Sequence, residues 1–252
     1  MIVIFTDFCH KKAILKDLKE NDIDIRIFSS IDSTNNECKR QCFDKKYLLI
    51  TAEEQTKGRG RSGKNWISQK LGNVYMSFAF NNNLKNSPIS LITGVIVHSI
   101  LTKITQSKGF GLKWPNDILL KNKKIGGILV ENEIQGNKIK TIIGIGINFN
   151  LEEKESWWGD LSEFSKIIER NNLINGITKN LIDYIENENL HWIDSWHYAC
   201  SHLNKKVKVN SGSKTMCEGI FVGINDDGSM NIKLDDKIEN FKFGEVSIKG
   251  IY

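Results

Sequence analysis

The chain has 252 residues, and its 35 Lys and Arg against 30 Asp and Glu give a formal net charge of +5. A hydrophobic share of 40% with 26% charged residues is an ordinary globular mixture, which excludes a disordered or fibrous protein. No apolar run approaches the roughly 20 residues that a spanning helix needs, so no membrane segment is predicted. The length predicts one large domain, alone or with a small one attached.

Cysteine usage indicates the compartment. The chain has five cysteines and no Cys-x-x-Cys pair. This odd number favours reduced structural thiols over a disulfide framework or a zinc ribbon. The N-terminus also lacks the basic start and long apolar run of a signal peptide. We therefore expect a cytoplasmic protein.

The first half of the chain predicts helices alternating with strands. Helical patterns run over residues 11–20, from the capping sequence Ser30–Asn35, and over 88–104, where Ser87 and Pro88 open an apolar helix. Strands are predicted at Ile23–Phe28, Tyr47–Thr51 and Val74–Phe80. The segment between the last two, residues 55–64, has the composition of a loop.

The second half predicts a meander, a helical region and a small β-barrel. Strands at 118–120, 125–131 and 140–148 follow each other through tight turns, and residues 161–202 are helical and amphipathic. After Asn204 only short strands follow. We therefore predict a domain of residues 1–204, with residues 1–30 as a short N-terminal extension, and a second domain of residues 205–252.

A glycine-rich loop at residues 58–63 matches G-x-G-x-x-G, and with Lys64 it matches G-x-x-x-x-G-K. Neither match predicts a dinucleotide site or a P-loop: Asn65 replaces the required Ser or Thr, strand is predicted next, and residues 55–116 contain no acid. The three glycines and two arginines still suit a phosphate or a carboxylate. A solvated basic hairpin is the alternative.

Three further clusters combine glycines or turns with polar residues. In Lys113–Asp117, Asp117 could hold Mg²⁺ and Asn116 could bond a nucleotide, although a plain turn is the alternative. Lys124 precedes Gly126 and Gly127, whose place in a strand indicates close approach to the backbone. The run Gly144–Asn148 repeats this pattern and ends in an amide.

These clusters, in this order, resemble the biotin protein ligase family. The matching segments are Asp32–Asn35, Gln55 with Gly58–Arg61, Lys113–Asp117, Lys124–Gly127 and Gly144–Asn148. The resemblance implies an α+β fold, in which a mixed sheet flanked by helices, related to class II aminoacyl-tRNA synthetases, carries a C-terminal SH3-like domain. It also implies two reactions. Biotin and Mg-ATP form biotinyl-5′-AMP and pyrophosphate, and a lysine of a biotin carboxyl carrier protein then accepts the biotin.

The resemblance also implies residue roles. Arg61 and Lys124 would be catalytic, and Asp117 would hold Mg²⁺. The expected biotin contacts are Ser33, Thr34, Asn35, Gln55, Gly58, Arg59, Gly60, Arg61, Lys124, Gly126 and Gly127. The expected ATP contacts are Arg61, Lys113, Trp114, Asn116, Asp117, Asn148 and Trp158, with the adjacent Trp157 an alternative for stacking on adenine.

Partners other than biotin and ATP are less clearly marked in the sequence. About 31 residues precede Asp32, too few for the winged helix of repressor members, so we expect no specific DNA binding. A homodimer is expected by analogy alone. Residues 55–116 carry nine basic residues and no acid, which suits phosphates and could steer an acidic carrier domain. Lipoate ligase and a nucleic-acid-binding module are the rival interpretations.

Overall fold

The structure is a computed structural model, and it describes residues 8–69, 72–81, 88–135, 138–153, 155–188, 191–212, 214–242 and 247–250. Three sequence predictions extend beyond these ranges. Ser87, the expected helix cap, and the chain ends at 1–7 and 251–252 lie outside the described residues.

Within those ranges the chain forms five α-helices and twelve strands, and the last five strands follow one another without a helix between them. The helices are α1 (Lys11–Ile14), α2 (Thr34–Arg40), α3 (Ile89–Thr105), α4 (Arg170–Asn187) and α5 (Trp192–Ala199). The strands of the main body are β1 (Ile23–Phe28), β2 (Tyr47–Ala52), β3 (Val74–Asn81), β4 (Phe110–Lys113), β5 (Asp117–Leu120), β6 (Lys123–Gln135) and β7 (Lys138–Ile147). The C-terminal strands are β8 (Lys206–Ser211), β9 (Lys214–Ile224), β10 (Met230–Leu234), β11 (Lys237–Phe241) and β12 (Ser247–Gly250).

The main body is built on one mixed sheet with strand order β1-β2-β3-β7-β6-β5-β4. β1 and β2 are parallel, and the other neighbours are antiparallel. All six residues of β2 are buried, which agrees with its apolar run. The α+β prediction is confirmed, and β1 places residues 23–28 in the sheet rather than in an extension.

Strand periodicity assigns the side chains to the two faces of this sheet. On one face Leu48, Ala79 and Ile142 pack with Cys38 of α2. On the other face Leu49 and Phe78 belong to the large core under α3 and α4. The sheet is therefore covered on both sides, and the shorter helix α2 covers only the part of its face formed by β2, β3 and β7.

The C-terminal strands form a separate antiparallel sheet, ordered β11-β10-β9-β8-β12, as expected for an SH3-like domain. Trp196 of α5 packs on Phe221 of this sheet, with ring centroids 5.9 Å apart. Trp114 Nε1 donates a hydrogen bond to the Gly228 carbonyl at 3.0 Å. These contacts seat the small sheet against the end of the large one. The division at residue 204 stays a prediction.

Three elements differ from the periodicity. The helix predicted over 11–20 ends at Ile14, and Asp17 takes a φ of 60° just beyond it. The helical region 161–202 begins its first long helix only at Arg170, and it contains α4 and α5, because Glu188 ends α4 in the left-handed conformation. β11 is not marked by periodicity, because its residues are mostly exposed and do not alternate between apolar and polar.

The fold also bears on the expected thiols and on membrane insertion. All five cysteines are free, as the sequence predicts. Among the residues that the structure describes, no helix has the length and apolar character to cross a bilayer.

Candidate functional site

A cavity of about 520 Å³ opens on the face of the main sheet that α2 only partly covers. Its floor is made by Gly127, Leu129, Gly144 and Gly146, which pair across β6 and β7. The glycines allow other side chains to lie directly against the sheet. A β-carbon at Gly144, for example, would lie 2.1 Å from the Asn35 Oδ1 atom. The glycine pattern of both strands therefore creates the room that the sequence analysis anticipated.

One end of the cavity is a polar but largely uncharged pocket at the N-terminus of α2. The Thr34 amide and hydroxyl both donate to Gln55 Oε1, at 2.9 and 3.1 Å. Ser77 Oγ lies 2.8 Å from Thr34 Oγ1 and 2.6 Å from Asn35 Oδ1. Ser33 caps the helix through its hydroxyl. This arrangement presents alternating donors and acceptors to a small polar ring.

A carboxylate, Glu131, holds the wall of this pocket together. Its oxygens accept hydrogen bonds from Arg59 Nη1 at 3.0 Å and from Asn35 Nδ2 at 2.9 Å, and Arg59 Nη2 forms an ion pair with it at 3.0 Å. Lys39 adds an ion pair at 2.8 Å. Burial opposes ionisation of Glu131, but the bonds from Lys39 and Asn35 hold its pKa below the usual value. Arg59 is thereby fixed across the glycine loop.

The middle of the cavity is strongly cationic. Among the described residues that line it, Asp117 is the single acid, whereas the cations are Arg59, Arg61, Lys64, Lys113 and Lys124. Lys124 Nζ lies 2.6 Å from Asp117 Oδ1, and Arg61 Nη1 donates to Asn116 Oδ1 at 3.3 Å. Burial lowers the pKa of Arg61 and of Lys113. Cations gathered away from water with one counter-charge favour binding of an anion.

The other end is formed by the loop after β7. Lys124 pairs with this loop, because its amide donates to the Trp157 carbonyl at 3.0 Å and Gly159 donates back to Lys124 at 2.8 Å. Asn148 Nδ2 bonds the Gly159 carbonyl. The rings of Trp157 and Trp158 meet edge to face with centroids 5.5 Å apart. Two aromatic rings beside the cationic centre therefore offer a stacking surface.

The cavity collects most of the residues that the sequence singled out. Gly58 and Gly126 do not line it, but both stand directly behind the wall. A β-carbon would lie 2.4 Å from the Trp66 carbonyl oxygen at Gly58 and 2.9 Å from the Gly146 carbonyl oxygen at Gly126. Trp114 borders the cavity but is only 1% exposed, and its indole N–H donates to the Gly228 carbonyl. Its role is therefore to pack the two sheets together rather than to contact a ligand.

Trp66 lines the cavity although it belongs to none of the predicted site motifs. Its indole rests where β-carbons at Gly146 and Gly127 would lie 2.8 and 3.0 Å away. Lys124 Nζ sits 5.4 Å from the ring centroid, within cation–π range. The C-terminal sheet also contributes Asn210, Gly212, Ser247 and Ile248 to the rim. No local motif marks these residues, because only the fold brings them here.

Comparisons with known proteins agree with this geometry. Residues 27–148 match the Biotin/lipoate A/B protein ligase family, and residues 202–249 match the Biotin protein ligase C terminal domain. The Bifunctional ligase/repressor BirA of Escherichia coli is 30% identical over 241 residues, covering 89% of this chain and 74% of that protein.

Solved structures give the same picture. Biotin protein ligase from Aquifex aeolicus in complex with biotin and ATP superposes with a TM-score of 0.73 at 29% identity, covering 90% of this chain and 99% of that one. The Leishmania major enzyme in complex with biotinyl-5-AMP gives 0.61 at 25% identity, covering 87% and 98%.

A mixed sheet with a glycine-floored cationic cavity and an SH3-like C-terminal domain defines a protein ligase of the biotin/lipoate class. Within that class, the chain belongs to the biotin protein ligase family. It is an ATP-dependent enzyme that activates biotin and transfers it to protein.

Proposed function

We propose that this enzyme forms biotinyl-5′-AMP in the cavity and then passes biotin to a lysine of a biotin carboxyl carrier domain. One observation carries the proposal. A single cavity joins a polar, largely uncharged pocket to a cationic centre and then to an aromatic end. The groups of biotin and ATP match this order: the ureido ring suits the polar pocket, the carboxylate and phosphates suit the cationic centre, and adenine suits the aromatic end.

In this proposal the ureido ring lies among Ser33, Thr34, Asn35 and Gln55, with Arg59 closing the side. Thr34 is already bonded to Gln55, and Asn35 and Arg59 already share the carboxylate of Glu131, so little reorganisation accompanies binding. The biotin carboxylate then points along the glycine floor toward Lys124. Adenine lies at the aromatic end, against Trp158 or Trp157, near Asn148.

The first reaction brings two anions together. A biotin carboxylate oxygen forms a bond to the α-phosphorus of ATP, and the bond to pyrophosphate breaks. Lys124 and Arg61 oppose the charge that develops on the phosphate, which is where fixed cations act most strongly. Lys124 exchanges its pairing with Asp117 for the substrates.

The second reaction needs no nucleophile from the enzyme. The neutral ε-amine of the carrier lysine attacks the acyl carbon, and the bond to AMP breaks as the amide forms. The amine loses a proton in this step. The cationic centre stabilises the leaving AMP, since the same charges face its phosphate.

Asp117 and the nucleotide phosphates fit a Mg²⁺ ion. Mg²⁺ binds through one or two carboxylates together with phosphates and water, and Asp117 supplies one carboxylate among the described lining residues. In the part of the chain that the structure describes, no group of three or more His, Cys, Asp or Glu residues could hold a metal without a substrate. Bound there, Mg²⁺ would neutralise the leaving pyrophosphate.

Partners follow from charge and from the family. The basic segment of residues 55–116 is suited to steer an acidic carrier domain toward the cavity. The absence of specific DNA binding and the homodimer stay predictions.

We expect Arg61→Gly to release biotinyl-5′-AMP into solution at least about ten-fold faster than the wild type. Arg61 is part of the glycine loop, and its side chain joins that loop to Asn116. Its loss therefore opens the loop over the mixed anhydride and admits water. The released adenylate is measured by chromatography after a single turnover without carrier.

Lys57→Gly is the matched control, because it removes an exposed cation from the same loop and also adds a glycine. It should retain the adenylate as the wild type does. Equal release from the wild type and Arg61→Gly would contradict the role of Arg61 in closing the cavity.

A further inference from the structure

The side chain of Gln69 joins two loops that border opposite ends of the cavity. Its Oε1 atom accepts hydrogen bonds from the amides of Glu152 and Glu153, at 2.8 and 3.3 Å. Its Nε2 atom donates to the Glu153 carbonyl at 2.7 Å. One side chain thus satisfies three backbone groups of the loop that leads to Trp157. Gln69 itself does not line the cavity.

The backbone of Gln69 is anchored to the sheet. Its carbonyl accepts hydrogen bonds from the Tyr75 hydroxyl at 2.8 Å and from Asn73 Nδ2 at 3.2 Å. Asn73 is 1% exposed, and its Oδ1 atom accepts from the amides of Phe149 and Asn150, at 2.7 and 3.2 Å. Asn73 therefore holds residues 149–150 to the sheet, and Gln69 holds the next residues of the same loop.

The neighbouring residue, Ser68, connects these hydrogen bonds to the polar pocket. Ser68 Oγ accepts a hydrogen bond from Gln55 Nε2 at 3.0 Å, and Gln55 accepts from Thr34. A continuous path of hydrogen bonds and one peptide link therefore runs from the ureido end, through Ser68 and Gln69, to the loop that carries Trp157 and Trp158.

We propose that Gln69 is a positioning residue that couples the biotin pocket to the nucleotide end of the cavity. When biotin fixes Gln55, the segment 68–69 is fixed as well, and Gln69 holds residues 152–153 of the loop that leads to Trp157 and Trp158, so that these tryptophans meet the nucleotide. Biotin then raises the affinity for ATP through this contact. The inference rests on the proposed function, because it assigns the two ends to biotin and ATP.

The test replaces Gln69 by Met, which keeps the length and removes all three bonds. We expect the KM for ATP in biotin-dependent pyrophosphate exchange to rise roughly ten-fold, equal to about 1.4 kcal/mol. Biotin affinity in the absence of nucleotide, measured by calorimetry, should stay within about two-fold of the wild type. Gln69→Glu keeps the acceptor and loses the donor, so it should recover part of the ATP affinity.

Gln106→Met is the matched control, since the side chain of Gln106 bonds only the Lys103 carbonyl in the hydrogen bonds described and lies at the end of α3. A second readout does not depend on turnover. With biotin bound, amide hydrogen exchange over residues 150–158 should rise in Gln69→Met and not in Gln106→Met.

The outcomes separate this inference from the proposed function. If biotin strengthens binding of a non-hydrolysable ATP analogue equally in the wild type and in Gln69→Met, Gln69 does not couple the ends. Equal loss of biotin and ATP affinity would also overturn the inference, because it indicates a general structural role. An inactive wild type would instead remove the proposed function.

Discussion

Replacement of Lys124 by Met is expected to lower the rate of biotin adenylate formation by about 10³-fold, the effect of removing a fixed charge aimed at a developing anion. Lys124 sits at the centre of the cavity, 2.6 Å from Asp117 and beside the indole of Trp66. Its removal leaves the carboxylate of Asp117 without this ion pair and close to the substrate anions. The substitution therefore has two effects: it removes a cation that opposes the charge on the phosphate, and it exposes the reacting anions to the carboxylate of Asp117.

A second substitution at the same position separates charge from shape. Gly127 and Trp66 crowd the end of the Lys124 side chain, and Lys124 Nζ lies 3.4 Å from where a Gly127 β-carbon would stand. We expect Lys124→Arg to remain impaired, because a planar guanidinium does not replace a compact ammonium there. Single-turnover kinetics with labelled ATP measure both variants.

Lys121→Met provides the control for this experiment. Lys121 is three residues away and also forms an ion pair, to Glu163 at 2.5 Å, but its side chain is 65% exposed. Exposed pairs of this kind contribute little, so adenylation should be unchanged. Comparable rates for Lys124→Met and Lys121→Met would contradict the assignment of Lys124 as a catalytic residue.

Gly144→Ala is expected to weaken biotin binding about 100-fold, equal to about 2.8 kcal/mol. The added carbon would lie 2.1 Å from Asn35 Oδ1, and the Asn35 amide is fixed by Ser77, Glu131 and the Leu129 carbonyl. The clash must be relieved by moving that amide, which combines overpacking with lost hydrogen bonds. Affinity for the ATP analogue alone should change little, because the disturbance lies at the other end of the cavity.

The matched control is Gly176→Ala, within α4 and away from the cavity. A β-carbon there would meet Ile100 at 3.7 Å, an ordinary contact, and Ala in a helix interior is favoured over Gly by about 1 kcal/mol. This variant should bind biotin normally and melt no lower than the wild type. If Gly144→Ala binds biotin as well as Gly176→Ala does, the glycine floor is not the biotin site.

Much of the fold follows from patterns that act locally. β2 is apolar except for Thr51 and is buried along its whole length, and α3 is apolar on most faces and is buried accordingly. The glycines in β6 and β7 indicated the cavity floor, since a glycine in a strand interior marks a place where another group approaches the backbone closely. Most of the candidate site was therefore predictable from residues that break the preferences of their own elements.

What could not be predicted depends on chain segments that are distant in sequence. Gln69 is an ordinary polar residue until the fold brings residues 152–153 to its side chain. Glu131 is likewise one acid within the strand β6, and its role appears only when Arg59, Lys39 and Asn35 converge on it. The rim residues of the C-terminal sheet reach the cavity through packing between sheets, which no local periodicity encodes.

Pyrophosphate exchange into ATP, measured with biotin, with lipoate and with neither acid, tests the central claim most directly. Exchange of this kind requires reversible adenylation of the acid and does not require the carrier protein. We predict exchange that depends on both biotin and Mg²⁺ and is absent with lipoate. Exchange with lipoate but not with biotin, or with neither acid, would contradict the assignment of this cavity to biotin and ATP.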